Sequence, residues 1–263
     1  MQRPKDVNSG VRGGFPAQYA LGSAKPNTTG NLAGTESAMK GKNRIGLWII
    51  GVASIVVVGI IVLVVVTGRT PVSSEAHANI PTEWINGNEL GSPDAPVVMV
   101  AYEDFLCPHC GEFNRNAKAR LIEDFIEAGD LRLVYMFFPL DIFAPASYNA
   151  ARAGQCIIDL SDDPNGFWQY HDTLFFGERG AARYEIENLT ALARDAGVNE
   201  REFVECFGSV ATQDKVDQAV RAGVADGAQG TPHIVINNEV FGGNAANYDA
   251  IRAAVNAALV AVE

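Results

Sequence analysis

Hydrophobic and polar positions divide the chain into three regimes. Residues Met1 to Arg44 show no sustained apolar period, because Gly, Ser, Asn and Pro interrupt every short apolar run. Such a segment cannot bury enough apolar surface to offset its ordering entropy, which predicts a flexible tail over 1–44. Ile45 to Thr67 is the opposite, an uncharged run of 23 residues, IGLWIIGVASIVVVGIIVLVVVT. As a helix it would extend roughly 34 Å at ~1.5 Å per residue, enough to cross a ~30 Å hydrocarbon core. A single transmembrane helix over 45–67 is therefore expected, followed by a short polar linker over 68–79. From residue 80 to 263 short apolar runs and amphipathic stretches alternate, as in one folded domain long enough for a real core.

Within that domain Val97-Val98-Met99-Val100-Ala101-Tyr102 is continuously apolar and predicts a strand buried on both faces. A helical pattern follows from His109 to about Ala128, closed by Gly129. Leu131 to Phe138 predicts a second strand, stopped by Pro139, and this β-α-β spacing implies a parallel pair. Helical periods then dominate from about 144 to 228, over Ala146–Leu160, Gly166–Phe176, Ile186–Ala196, Glu200–Phe207 and Val210–Ala225. Strand character returns at His233–Ile236, Asn237-Asn238 supplies a turn, and Glu239–Gly242 a hairpin partner. A last amphipathic helix runs from about Tyr248 to Val262. The class is α/β, with the order β-α-β, a helical block, then β-β-α.

Charge adds direction. The tail carries seven Lys/Arg against Asp6 and Glu36, with Lys40, Lys42 and Arg44 just before the apolar run and only Arg69 close behind it. The positive-inside bias places the N-terminus in the cytoplasm and the chain beyond 70 outside the cell membrane. A cleaved signal peptide, with Ala76-His77-Ala78 as its processing site, fits less well. A signal's apolar region spans ~7–15 residues, whereas this run is longer and is preceded by 44 residues. Of 31 acids 29 lie beyond residue 70, against 12 of 20 bases, so the exported part carries −17. That charge favours solubility and excludes nucleic acid as an expected partner.

Cys107-Pro108-His109-Cys110 carries the chemistry. It follows a strand and opens a helix, where backbone N–H groups and the helix dipole stabilise a thiolate on the first cysteine. Pro108 suits the first helical turn, because its missing N–H would lack an intrahelical partner there. His109, when protonated, adds positive charge beside the sulfurs. Cys107 is thus expected to be the exposed nucleophile with a depressed pKa, and Cys110 the buried resolving thiol. A zinc knuckle would need a second C-x-x-C or paired histidines nearby, and Cys156, Cys206, His77, His171 and His233 stand singly.

The chain resembles the DsbA-like thiol–disulfide oxidoreductases of the thioredoxin fold, in their membrane-anchored form. The resemblance covers about Gly87 to Glu263. It rests on Gly91-Ser92-Pro93-Asp94-Ala95-Pro96-Val97, Glu103-Asp104-Phe105-Leu106-Cys107-Pro108-His109-Cys110, Phe167-Trp168-Gln169-Tyr170-His171-Asp172 with Leu174-Phe175, and Gly230-Thr231-Pro232-His233-Ile234-Val235-Ile236-Asn237. It implies a thioredoxin fold with a helical domain inserted after the second strand. It also implies a cis Pro232 lying against Cys107, with the Thr231 backbone free to pair with an extended substrate chain. His233 departs from the small or apolar residue usual after that proline and is read as a strand residue.

The implied activity is an oxidase that donates disulfides to exported cysteine-containing proteins and is reoxidised by a quinone-linked membrane partner. Dithiol exchange itself calls for no cofactor and no metal. An isomerase or reductase of the same fold is the first alternative; a redox-inactive binding module or a metal-delivery scaffold is the second. Cys156 and Cys206, two leftover cysteines in an exported domain, are expected to pair, as in related anchored members. A loop of that size contributes roughly 4 kcal/mol in the chain-entropy model. Two buried free thiols or a second redox relay are the competing readings. Of the acids before the motif, strand alternation turns Glu103 and Asp104 to opposite sides, so at most one relays protons or raises the pKa of Cys110, the other reading being two solvated acids at a strand end; the resemblance implies Asp104, because the family motif favours an acid there. The aromatic residues around Trp168, and His171 with them, are read as core.

Overall fold

The computed structural model describes residues 77, 79–177 and 181–262. The expected tail, transmembrane helix and nearly all of the linker lie outside the described residues. Among those described, no helix is long and apolar enough to cross a membrane.

Two short strands, β1 (Ile85–Asn86) and β2 (Glu89–Leu90), form a hairpin before the first expected strand, β3 (Val97–Glu103). A helix, α1, follows. It is α-helical over Pro108–Phe113 and Ala119–Leu121 and winds into π turns over Asn114–Lys118 and Ile122–Ile126. Then come β4 (Leu131–Phe137) and the helices α2 (Ala146–Leu160), α3 (Gly166–Phe176), α4 (Ile186–Asp195), α5 (Glu200–Phe207) and α6 (Val210–Ala225). The chain returns through β5 (His233–Ile236) and β6 (Glu239–Val240) to α7 (Tyr248–Val262). Among the described residues the strands make one six-stranded sheet in the order β1-β2-β4-β3-β5-β6. The expected parallel pair is β3 with β4, from Val97 opposite Leu131 to Glu103 opposite Phe137. β5 runs antiparallel to β3, with Tyr102 opposite His233.

Local chemistry accounts for the punctuation. Asn237 and Asn238 adopt φ of 46° and 70°, as a two-residue hairpin turn requires, and Asn237 Oδ1 accepts from Val98 N at 2.8 Å, which pins the hairpin to β3. Asn199 caps α5 by accepting from the amides of Arg201 and Glu202, and Ser209 caps α6 by accepting from Thr212. β1 and β2 escaped the sequence pattern because two residues each are too short for an alternation to register.

The helical insert lies between β4 and β5. Its first helix, α2, buries Ala150, Ala151, Ala153 and Gly154. A Cβ on Gly154 would stand 2.9 Å from Phe137, so glycine is what lets α2 lie this close to β4. α3 turns Phe167, Trp168, Tyr170, His171 and Phe175 into the core, where they meet Phe105, Tyr135 and Phe137 at ring-centroid separations such as 5.4 Å for Tyr135–Phe167 and 5.3 Å for Phe105–Phe175. Aromatic pairs of this kind add about 0.5–1.5 kcal/mol beyond their area burial. The aromatic set is therefore core, as the sequence pattern indicated. It joins the insert to the sheet directly behind the Cys107–Cys110 loop.

Candidate active site

Cys107 occupies the N-cap of α1 in extended conformation (φ −71°, ψ 121°), and Pro108 opens the helix. Gly111 N donates to Cys107 O at 3.2 Å, the first helical bond. The two sulfurs are asymmetric: Cys107 keeps 6% of its surface and Cys110 none. Cys107 is less exposed than expected because the insert and the Thr231 loop cover it. What remains open faces a cleft of about 600 Å³ lined by Cys107, Pro108, Phe105, Leu106, Phe143, Pro145, Leu174 and Phe175, with Arg115, Arg183 and Glu185 among its polar groups.

Thr231–Pro232 is cis, as is Ala144–Pro145 at the start of the insert. The Cys107 thiol donates to Thr231 O at 3.3 Å, while Thr231 Oγ1 is buried without a partner. The loop between α6 and β5 is thereby brought onto the first cysteine. Cys156 and Cys206 are bonded to each other, with an S–S separation of 2.08 Å and Cα atoms 5.9 Å apart, and join α2 to α5. Cys107 and Cys110 are free thiols.

The Cys107 pKa falls to about 5, first because the Cys110 thiol donates to its sulfur. Burial opposes the fall, and donation from the backbone amides of Cys110 and His109 assists it. Cys110 moves the other way: burial, its bond to Cys107 and the nearby Glu103 charge push its thiol well above the ordinary range. His109 acts differently from the expectation. Its exposed ring turns to Glu112, Nδ1 to Oε2 at 3.1 Å, and that partner raises its pKa ahead of the Cys107 charge. His109 acts on Cys107 through its backbone amide.

The acids before the motif correct the alternation argument. Glu103 and Asp104 are both buried, at 2% exposure each. β3 ends at Glu103, so the strand period no longer governs Asp104. Asp104 Oδ1 accepts from Leu106 N at 2.8 Å, and Oδ2 accepts from Leu140 N at 2.9 Å and from the Ser147 hydroxyl. Its carboxyl thus ties the end of β3 to the motif loop and to the start of the insert. Burial raises its pKa, while these three donors act against that rise. Glu103 is the acid whose charge reaches Cys110. Burial raises its pKa to about 8, against the opposing Lys118 charge and the Asn114 amide, which donates to Oε2 at 2.6 Å.

Asn114 and Lys118 were not singled out in the sequence. They lie four and eight residues after Cys110, on the helix face that carries Phe113, Ala117 and Leu121 inward, and both are buried. Polar residues on an apolar stripe were the signal that could have found them. His233 sits on β5 with Nε2 3.0 Å from Asp226 O, as a strand residue would. Among the described residues no group of three His, Cys, Asp or Glu side chains is placed to hold a metal ion.

Such a site combines a stabilised thiolate, a second thiol in contact with it, a buried acid and a backbone edge beside an apolar cleft. It is equipped for thiol–disulfide exchange with a polypeptide. A family model described as thioredoxin matches residues 85–257. Disulfide bond formation protein D of Bacillus subtilis is 28% identical over 172 residues, covering 62% of this chain and 72% of that protein. The probable disulfide bond formation protein D of Bacillus anthracis is 26% identical over 230 residues, covering 83% and 98%. The crystal structure of oxidised BdbD from Bacillus subtilis superposes with a TM-score of 0.59 at 25% identity, over 69% of this chain and 96% of that one. Wolbachia pipientis alpha-DsbA1, at 21% identity and a TM-score of 0.56 over 71% of this chain and 96% of that one, shares the fold.

Proposed function

Because the chain belongs to the thioredoxin family, as a DsbA-like thiol–disulfide oxidoreductase, we propose that it is an extracytoplasmic oxidase that donates disulfides to exported proteins through Cys107 and Cys110. The observation that carries this reading is the opposite displacement of the two thiols. A substrate thiolate attacks Cys107 of the oxidised pair, the Cys107–Cys110 bond breaks, and its electron pair leaves on Cys110. Cys110 holds its proton tightly and needs one at that moment. Glu103, protonated below about pH 8, is the buried acid placed to supply it and is afterwards reprotonated from solvent. A second substrate thiolate then attacks the substrate sulfur of the mixed disulfide, and Cys107 leaves as a thiolate that needs no proton near neutral pH. Stabilising that thiolate favours the reduced pair, which makes the oxidised pair a donor.

The substrate segment is assigned to the cleft beside Cys107, with its backbone along Thr231 and cis Pro232, which presents no N–H to the sulfur. Anchoring by residues 45–67, with the catalytic domain outside the cell membrane, and reoxidation by a quinone-linked membrane oxidase complete the reading. The run's length, the basic residues before it and the kinship support them.

The test is the reduction potential of Cys107–Cys110 in the full chain, equilibrated with glutathione. A donor is expected between about −120 and −180 mV, the span from DsbA to protein disulfide isomerase. A value near −270 mV, that of thioredoxin, would reverse the direction and make the protein a reductase.

A further inference from the structure

The helical insert also meets α1 through a buried cation. Cys110, Asn114 and Lys118 follow one another at four-residue intervals on the inward face of α1. Asn114 Nδ2 donates both to Cys110 O at 2.9 Å and to Glu103 Oε2 at 2.6 Å. One turn on, Lys118 is buried at 2% exposure and donates to Asp172 Oδ1 of α3 at 2.7 Å, with His171 Nδ1 3.2 Å away. Its ammonium also stands 5.2 Å from the Trp168 ring centroid. The disulfide exchange outlined above makes no use of Lys118, Asp172 or His171.

We propose that Lys118 is a positioning residue for the exchange: held by Asp172 of the insert, it sets how readily Glu103 releases the proton that Cys110 takes up. The inference rests on the oxidoreductase reading and adds to it the group that tunes the acid. A buried cation near two carboxylates favours the ionised form of both, and whatever charge balance one carboxylate supplies is felt by the other. The groups facing Glu103 are Asn114 and Lys118 of α1, Cys107 and Cys110 at the start of α1, Tyr135 of β4 and Asp172 of α3. Lys118 lowers the proton affinity of Glu103, whereas Asp172 and Cys107 raise it. Those facing Lys118 are Asp172, His171 and the Trp168 and Phe176 rings of α3, Glu103 of β3, and His77, whose Nε2 lies 3.8 Å from Asp172 Oδ2. Both histidines are held neutral near pH 7, chiefly by burial, with pKa values of about 4 for His77 and about 3 for His171. The net balance at this junction is therefore one cation against Asp172, with Glu103 as the acid left to titrate.

A purely structural ion pair and a tuning one make different predictions. Removing either partner of a packing element weakens the fold in the same sense. Removing the two partners of a tuning element moves Glu103 in opposite senses. The experiment follows the protonated carboxyl infrared band of Glu103 against pH in the reduced full chain, the band being assigned by its loss in Glu103→Gln. Lys118→Met is expected to raise the Glu103 midpoint, and Asp172→Asn to lower it, each by about one pH unit, a tenfold change in proton affinity. The pH profile for attack of a small dithiol on the oxidised pair should shift with each midpoint. Unmoved midpoints, or a shift in the same direction for both variants, would overturn the proposal. If Lys118→Met fails to fold, Asp172→Asn decides alone: a lowered midpoint supports the assignment and any other result overturns it. Glutathione titration of the unaltered protein separates the two levels. A pair that does not titrate ends the redox reading, while the infrared midpoints still report whether Lys118 and Asp172 govern Glu103.

Discussion

Lowering the pH from 7 to 4 should remove the energetic advantage of the reduced protein over the oxidised one. The Cys107 thiol has a pKa of about 5 in the folded chain, against a reference of 9.0. A depressed pKa contributes stability that is fully present above the unfolded value, declines as pH falls between the two, and is lost below the folded one. The full contribution, over about four units, is about 5 kcal/mol above pH 9. At pH 7 the folded thiol is ionised about a hundredfold in excess and the unfolded one about one part in a hundred. The ratio of binding polynomials then gives about 2.7 kcal/mol in favour of the folded reduced state. At pH 4 the same expression is close to zero. Spread over a two-electron couple, 2.7 kcal/mol corresponds to about 60 mV towards the oxidising end at pH 7.

The assay is urea unfolding of both redox forms at each pH, followed by tryptophan fluorescence. Only the difference between the forms is used, because Asp172, His77 and His171 also titrate with shifted pKa values that owe nothing to the cysteines and so cancel between the two forms; Glu103, whose pKa the Cys107 charge raises, is replaced by Gln in both forms. The reduced-minus-oxidised stability should fall by 2–3 kcal/mol, on the order the linkage arithmetic sets. A difference that does not change between pH 7 and 4, or a thiolate absorbance midpoint near 9, would refute the thiolate argument.

Three further outcomes follow from the geometry. Cys110→Ala removes the strongest donor to the Cys107 thiolate, so the midpoint for alkylation of Cys107 should rise by about 1–2 pH units, the worth of a hydrogen bond to a charged group, while Cys110→Ser, which keeps a donor, should shift it less. Replacing Cys156 and Cys206 together by Ala severs α2 from α5; calorimetry should show a loss of about 2–4 kcal/mol with the Cys107–Cys110 potential unmoved. Gly223→Ala on α6 would bring a Cβ to 2.7 Å from the Phe138 ring and 2.9 Å from Tyr102, and denaturant unfolding should register about 1–3 kcal/mol of destabilisation from overpacking.

Much of this molecule was legible along the chain. Residues 97–102 are apolar without a break, the pattern of a strand in the middle of a sheet with both faces covered. The insert helices other than α3 were readable from their 3.6-residue periods because each has a wetter face, whereas α3 is buried almost all round and shows itself by its aromatic residues. The Cys107-Pro108-His109-Cys110 motif announced itself by its place after a strand and before a helix. The short β1–β2 hairpin was not legible, since a strand becomes recognisable only once several residues alternate. That Glu103 and Asp104 are both buried was not legible for a related reason: alternation is a property of an extended strand, and it lapses where β3 stops. Lys118 was passed over because a lysine in a helix is ordinarily solvated, and the carboxylate that makes its burial tolerable, Asp172, lies 54 residues away.

By itself, then, the sequence determined the local elements, the two reactive sulfurs and the helix terminus that favours one thiolate, since all of these depend on neighbours within a few residues. Tertiary structure alone decided which acid's charge reaches Cys110, where Thr231 stands against Cys107, and which cation acts on Glu103. Those depend on low-dielectric contacts between groups far apart in the chain, and only packing brings such groups within a few ångströms of one another.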